Sequence, residues 1–131
     1  MAQVLTNAGK AIISNRVKGS GTEPNYVAWG TGAGTAAVTD TTLFTEAAES
    51  RVACTTTQQT ENVTNDTYQA VGTLTSASAQ TITNCGLFDA SSGGNLFVKA
   101  DFTGVPLASS ESIQFTLNLS RVLPPLRASI S

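Results

Sequence analysis

The most constraining stretch of the sequence is Ile113–Ser120, where Ile113, Phe115, Leu117 and Leu119 alternate with Gln114, Thr116, Asn118 and Ser120. A period of two places the four large apolar side chains on one face of an extended chain and the polar ones on the other. This is the pattern of a half-buried antiparallel strand.

Other segments repeat the theme more weakly. Leu96, Val98, Ala100 and Phe102 alternate, and Asp89-Ala90-Ser91-Ser92-Gly93-Gly94-Asn95 before them makes a hairpin turn from a strand near 81–88. A long strand is expected near 49–60, with Val52 and Cys54 on one face and Arg51, Ala53 and Thr55 on the other. The turn Glu61–Asp66 then leads into a partner at 67–76, in which Tyr68, Ala70, Gly72 and Leu74 alternate with Gln69, Val71 and Thr73. A shorter strand, Asn25–Trp29, runs into Gly30-Thr31-Gly32-Ala33-Gly34, and residues 35–48 read as mostly irregular, with Leu43 and Phe44 turned to the core. Near the other end, Pro124-Pro125 forbids a ladder, which makes 121–131 an extended arm.

One segment has a helical period. In Asn7–Lys18, Thr6 or Asn7 can cap the start, and Lys18-Gly19 gives a basic last turn and a stop. Leu5, Ala8, Ile12, Ile13 and Val17 form an apolar stripe that should pack on a sheet or on a neighbouring subunit. The expected fold is therefore mainly β: one domain over 1–131, an antiparallel sandwich or jelly-roll-like barrel with one short N-terminal helix. Segments 5–18 and 121–131 are its expected arms.

Composition narrows the chemistry. Thr (20) and Ser (13) supply a quarter of the 131 residues, whereas charged residues supply 12% and histidine is absent. Without His, and with only Cys54 and Cys85 as thiols, the common zinc sites and His-based acid–base pairs have no ligands to build from. No cofactor is expected. A net charge of −2 gives no positive field for a nucleic-acid backbone, and no apolar run approaches the length that spans a membrane. The N-terminus lacks the basic start and apolar block of a cleaved signal. Cys54 and Cys85 accordingly read as two small buried thiols rather than a disulfide.

Candidate catalytic groups do not assemble. The run Gly30–Gly34 suggests a phosphate loop, but no Gly-Lys-Ser/Thr ends it, and a tight bend is the simpler reading. The carboxylates are scattered. Glu46 and Glu49 stand close to Arg51, which points to an intramolecular ion pair or a subunit contact. Abundant Ser and Thr have no His to activate them, so no enzyme is expected. Trp29, Tyr26 and Tyr68 can line a sugar site, or serve as core and rim.

Four fragments together resemble the phage tail-fibre and collar-type attachment domains. They are Leu5-Thr6-Asn7-Ala8-Gly9-Lys10-Ala11-Ile12-Ile13, Tyr26-Val27-Ala28-Trp29-Gly30-Thr31-Gly32, Thr41-Thr42-Leu43-Phe44-Thr45-Glu46 with Arg51, and Thr83–Leu96. The last departs from the family pattern, which carries a Glu where this chain has Asn84 or Cys85. The resemblance implies a non-enzymatic, mostly β virion protein of a tailed phage, assembled around a symmetry axis, with a trimer favoured. A tail fibre would continue into a shaft, whereas this chain stops eleven residues after Ser120. That departure favours a capsid decoration (cement) protein on the outer head, bound to the major capsid protein. The alternatives are a short tail-fibre, collar or neck subunit bound to tail or neck proteins, and a host-surface carbohydrate-binding module. The expected place is the virion, with assembly in the host bacterial cytoplasm. Candidate contact residues are Ile12, Arg16, Lys18, Arg51, Arg121, Pro124, Pro125 and Arg127, the terminal cations being either partners for acidic shell surface or ordinary solvated charges.

Overall fold

Two antiparallel sheets stack face to face in the computed structural model, which describes residues 2–121 and 126–130. In chain order the elements are β1 (Gln3–Leu5), α1 (Asn7–Lys18), β2 (Tyr26–Gly30), β3 (Val52–Ala53), β4 (Thr55–Gln59), β5 (Thr67–Thr75), β6 (Gln80–Phe88), β7 (Leu96–Leu107), β8 (Ser112–Arg121) and β9 (Leu126–Ile130). Sheet A has the order β1-β7-β6-β2-β3 and sheet B the order β4-β5-β8-β9. The sandwich form of the expected fold is the one adopted.

The alternation in β8 does what its period requires. Phe115 and Leu117 are buried between the sheets with Ala70 and Leu74 of β5, against Val27, Trp29, Ile82, Cys85, Phe97 and Val98 of sheet A. Trp29 meets Phe115 edge to face, ring centroids 6.3 Å apart, a favoured geometry for two aromatic quadrupoles. The hairpin of β4 and β5 is in register from Thr55↔Val71 to Gln59↔Thr67.

The expected strand over 49–60 is instead two strands in different sheets. Val52 pairs with Val27 in sheet A, Thr55 pairs with Val71 in sheet B, and Cys54 alone lies between them. Its N–H donates to the Asn25 carbonyl at 2.7 Å. Alternation persists through the switch, because Val52 and Cys54 both pack on the core. The period therefore gives no sign of the change of sheet.

Helix α1 has the caps its sequence calls for. The Thr6 hydroxyl accepts from Gly9 N–H at 2.9 Å. Gly19, at φ 90°, closes the other end, with Gly19 N–H on Arg16 O at 3.1 Å and Ser20 N–H on Asn15 O at 2.8 Å. That pair of bonds is a Schellman motif. Of the two expected places for the helical arm 5–18, a sheet or a neighbouring subunit, the structure shows its own sheet: β1 pairs with β7, and Leu5, Thr6 and Ile12 are buried. Burying Leu5 and Ile12 within the chain removes the greater part of the apolar surface an arm would expose, and leaves Val17 at the end of the stripe in solvent. Gly9 is required here, since a Cβ would lie 2.2 Å from the Phe97 carbonyl oxygen.

At the other end, residues 126–130 are not an extended arm. They form β9, in register with β8 from Arg121↔Leu126 to Leu117↔Ile130. Backbone hydrogen bonding to an otherwise open edge outweighs the local prohibition set by Pro124 and Pro125, which lie outside the described residues.

Candidate functional site

The two sheets differ in what covers their outer faces. Sheet A is covered by the chain itself. Residues 31–46 lie across it, burying Leu43 against Ala28, Phe88 and Leu96. The Asn84 side chain is fully buried and mimics a ladder residue: its Oδ1 accepts from Phe44 N–H at 3.0 Å and its Nδ2 donates to Phe44 O at 3.0 Å. Lys99, 2% exposed, donates to Asp40 Oδ2 at 3.0 Å and to Thr42 O at 2.8 Å, with its ammonium 3.3 Å from the Phe44 ring centroid. Backbone donation from Ala37 and the Lys99 ammonium hold the Asp40 carboxyl below its ordinary value against the effect of burial.

The glycine run belongs to the same cover. Thr31 N–H donates to Thr45 O at 3.0 Å and Gly32 N–H to Phe44 O at 2.9 Å, so residues 30–32 lie backbone to backbone with 44–46. A Cβ on Gly30 would stand 2.5 Å from Phe44 O. Close approach of two main chains, not a phosphate, explains the composition.

Arg51 closes the next loop. Its guanidinium makes a bidentate pair with Glu46 (2.9 and 3.0 Å) and donates to Ala90 O at 2.9 Å and Gly93 O at 2.8 Å. It also stacks 3.5 Å above the Phe88 ring. Of the two readings of Arg51, the structure shows the intramolecular ion pair. Glu49 turns the other way. It accepts from Ala77 N–H, Gln80 Nε2 and Trp29 Nε1 at 3.0, 2.9 and 3.1 Å. Those donors, the Ala77 amide foremost, draw its pKa down to about 2.

Among the described residues, no comparable loop lies across sheet B. Its outward row comprises Thr55, Thr57 and Gln59 of β4, Thr67, Gln69, Val71, Thr73 and Thr75 of β5, and Ser112, Gln114, Thr116, Asn118 and Ser120 of β8, of which Thr67 and Ser120 are buried. No Lys, Arg, Asp or Glu occurs in β4, in β5 or in β8 before Arg121. Polar side chains pair across strands instead: Gln69 Nε2 donates to Asn118 Oδ1 at 3.0 Å, and the Thr75 and Ser112 hydroxyls are 2.7 Å apart. Over β4, β5 and β8 the face is a neutral array of hydroxyls and carboxamides, and Arg127 of the edge strand β9 stands opposite Ser120.

Between α1 and the rim of sheet B runs an open groove of about 760 Å³, walled by Ile13, Arg16 and Val17 on the helix and by Thr56, Gln58, Tyr68 and Leu119 on the sheet. Val17 is 84% exposed there. Tyr68 donates its hydroxyl to Glu23 Oε2 at 2.9 Å; burial, and then the Glu23 carboxylate, push its phenol well above the ordinary range.

A family model described as "Podophage GP4 fiber I protein gp80" matches residues 5–118. The chain belongs to this family. The match runs from the last residue of β1 through most of β8, so in this gp80-family protein it takes in the 31–46 cover, the Arg51 clasp, strands β4 and β5 and all of the groove lining but Leu119. It bears out the resemblance seen in the four sequence fragments, and the protein is a structural component of a tailed-phage virion. Neither a curated protein nor a solved structure matches the chain.

The predicted contact residues of the gp80-family protein do not gather in one place. Ile12 sits on the groove floor and in the core, 5% exposed. Arg16 lines the groove wall and donates to Gly21 O at 3.1 Å, and Lys18 is exposed at the end of α1. Arg51 is tied into its own loops, away from the groove. Arg121 ends β8 and Arg127 lies in β9, while Pro124 and Pro125 are outside the described residues. Trp29 cannot line a sugar site, being 1% exposed with its indole N–H on Glu49. The groove draws on α1, β4, β5 and β8, and no local pattern joins segments so far apart in sequence. Among the described residues no group of three His, Cys, Asp or Glu is placed to hold a metal, and no helix is long and apolar enough to cross a membrane.

Proposed function

We propose that this chain is a non-enzymatic building subunit of a phage fibre, packed in the virion against copies of itself and neighbouring tail proteins through the outer face of sheet B. The observation that carries the reading is the contrast between the sheets. The chain covers one outer face with its own residues 31–46, pinned by Asn84 and Lys99, and on the other the strands β4, β5 and β8 present an uncharged array rich in Thr, Gln and Asn. Interface cores are depleted in charge, and a neutral face meets an identical copy without repulsion. The fibre placement draws support from the family's description. The decoration reading uses the same face against the major capsid protein and differs in location and copy number.

Gold-labelled antibody against the protein, imaged on intact virions by electron microscopy, separates the two. Label on fibres or tail is the expected result. Label spread over the head would overturn the fibre reading in favour of decoration, and unlabelled virions would overturn both.

A further inference from the structure

Strand β4 is an edge of sheet B, and among the described residues β5 is its ladder partner. An edge strand presents a row of unpaired N–H and C=O groups that template another strand unless charge, proline, a bulge, shortness or cover prevents it. The other edges have such devices. β1 and β3 are three and two residues long, and β9 contains Arg127. Among the described residues β4 has none of them: its five residues, Thr-Thr-Thr-Gln-Gln, pair with β5 without a register shift. No charged residue or proline occurs from Val52 to Thr60.

We infer that β4 is a docking edge for β4 of a second copy, the two running antiparallel about a two-fold axis at Thr57. The inference rests on reading the chain as a subunit packed against its own copies, and names the edge that does it. Self-pairing fits this segment. In that register Thr57 faces its own counterpart, Thr55 faces Gln59 and Thr56 faces Gln58, so each remaining hydroxyl meets a carboxamide and no charge is buried. A charged partner strand would find no opposite charge to pay for its desolvation. The pairing joins two four-stranded sheets into one and continues the neutral outer face across both copies. Thr56 and Gln58, which line the groove, bring the two grooves side by side.

Five residues of edge make a small interface, so the association is read by sedimentation equilibrium of the purified chain between about 10 µM and about 1 mM, the range of weak contacts. The wild type is expected to shift from monomer to dimer across that range. Thr57 is exposed on the outer face, so Thr57→Lys and Thr57→Glu leave the fold intact, which circular dichroism checks. Each variant alone sets like charges opposite one another and weakens the dimer more than about fivefold. An equimolar mixture of the two restores it. A wild type that stays monomeric throughout, a dimer indifferent to both variants, or a trimer insensitive to Thr57 overturns the inference. None of these results moves the label on virions, so a failed edge and a failed fibre reading are told apart.

Discussion

Gly9→Ala sets two effects of opposite sign on a single added carbon. In an exposed helix interior the change stabilises by about 1 kcal/mol, because glycine surrenders the most backbone freedom. At Gly9 the new Cβ stands 2.2 Å from the Phe97 carbonyl oxygen and 2.8 Å from Leu5 Cδ1. A carbon and a carbonyl oxygen settle no closer than about 3.3 Å, so α1 must retreat from β7 by about 1 Å. The retreat stretches the Thr6 hydroxyl's bond to Leu96 O, now 2.5 Å, and loosens Ile12. Overpacking of this kind costs about 1–3 kcal/mol, and weakening a buried hydrogen bond adds about 1 kcal/mol. Subtracting the propensity gain leaves a net loss of about 1–3 kcal/mol. With an unfolding entropy of about 2.1 cal/mol/K per residue, a loss of 2 kcal/mol lowers the Tm of a chain of this length by about 7 °C. Urea and thermal unfolding followed by circular dichroism measure it. Ser14→Ala, exposed on the same helix, is the control and gains up to about 0.5 kcal/mol. If Gly9→Ala matches or exceeds the wild type in stability, the close packing of α1 on β7 is refuted.

Arg51→Lys is expected to lose about 2–3 kcal/mol, nearly as much as Arg51→Met, because an ammonium cannot span Glu46, two carbonyls and the Phe88 ring at once; equal urea midpoints for Lys and wild type would contradict this. Glu49 gives a pH signature. Its folded pKa of about 2 lies below the ordinary 4.5, so its contribution is fully present above pH 4.5 and is lost as pH falls towards 2. Urea midpoints measured down this range should fall less steeply in Glu49→Gln than in the wild type, and parallel curves would sink the assignment.

What was legible in the sequence is what short-range periodicity encodes. The limits and both caps of α1 follow from Thr6 and Gly19, and β8 follows from Ile113, Phe115, Leu117 and Leu119. Of the 31–46 cover, the inward turn of Leu43 was legible, whereas its anchoring was not, since that depends on Asn84 and Lys99 reaching a loop some forty to sixty residues away. Nor was β9, because Pro124-Pro125 speaks locally while an open edge at β8 speaks globally. The candidate contact residues were drawn from charge near the termini. The groove is instead defined by Val17, Thr56, Gln58, Tyr68 and Leu119, and the neutral face by alternate residues such as Thr57, Gln69 and Asn118, ordinary strand and helix residues whose meeting is a property of the fold.

The passage from β3 to β4 through Cys54 alone has a mechanical consequence. Layers of a sandwich are ordinarily held by dispersion and excluded water, which yield when the layers are sheared. Here tension on β4 is transmitted through covalent bonds to Val52 and its ladder with β2, with no loop to uncoil between them. Layers joined so tightly are loaded together, so a force applied to the edge of one sheet is borne by both.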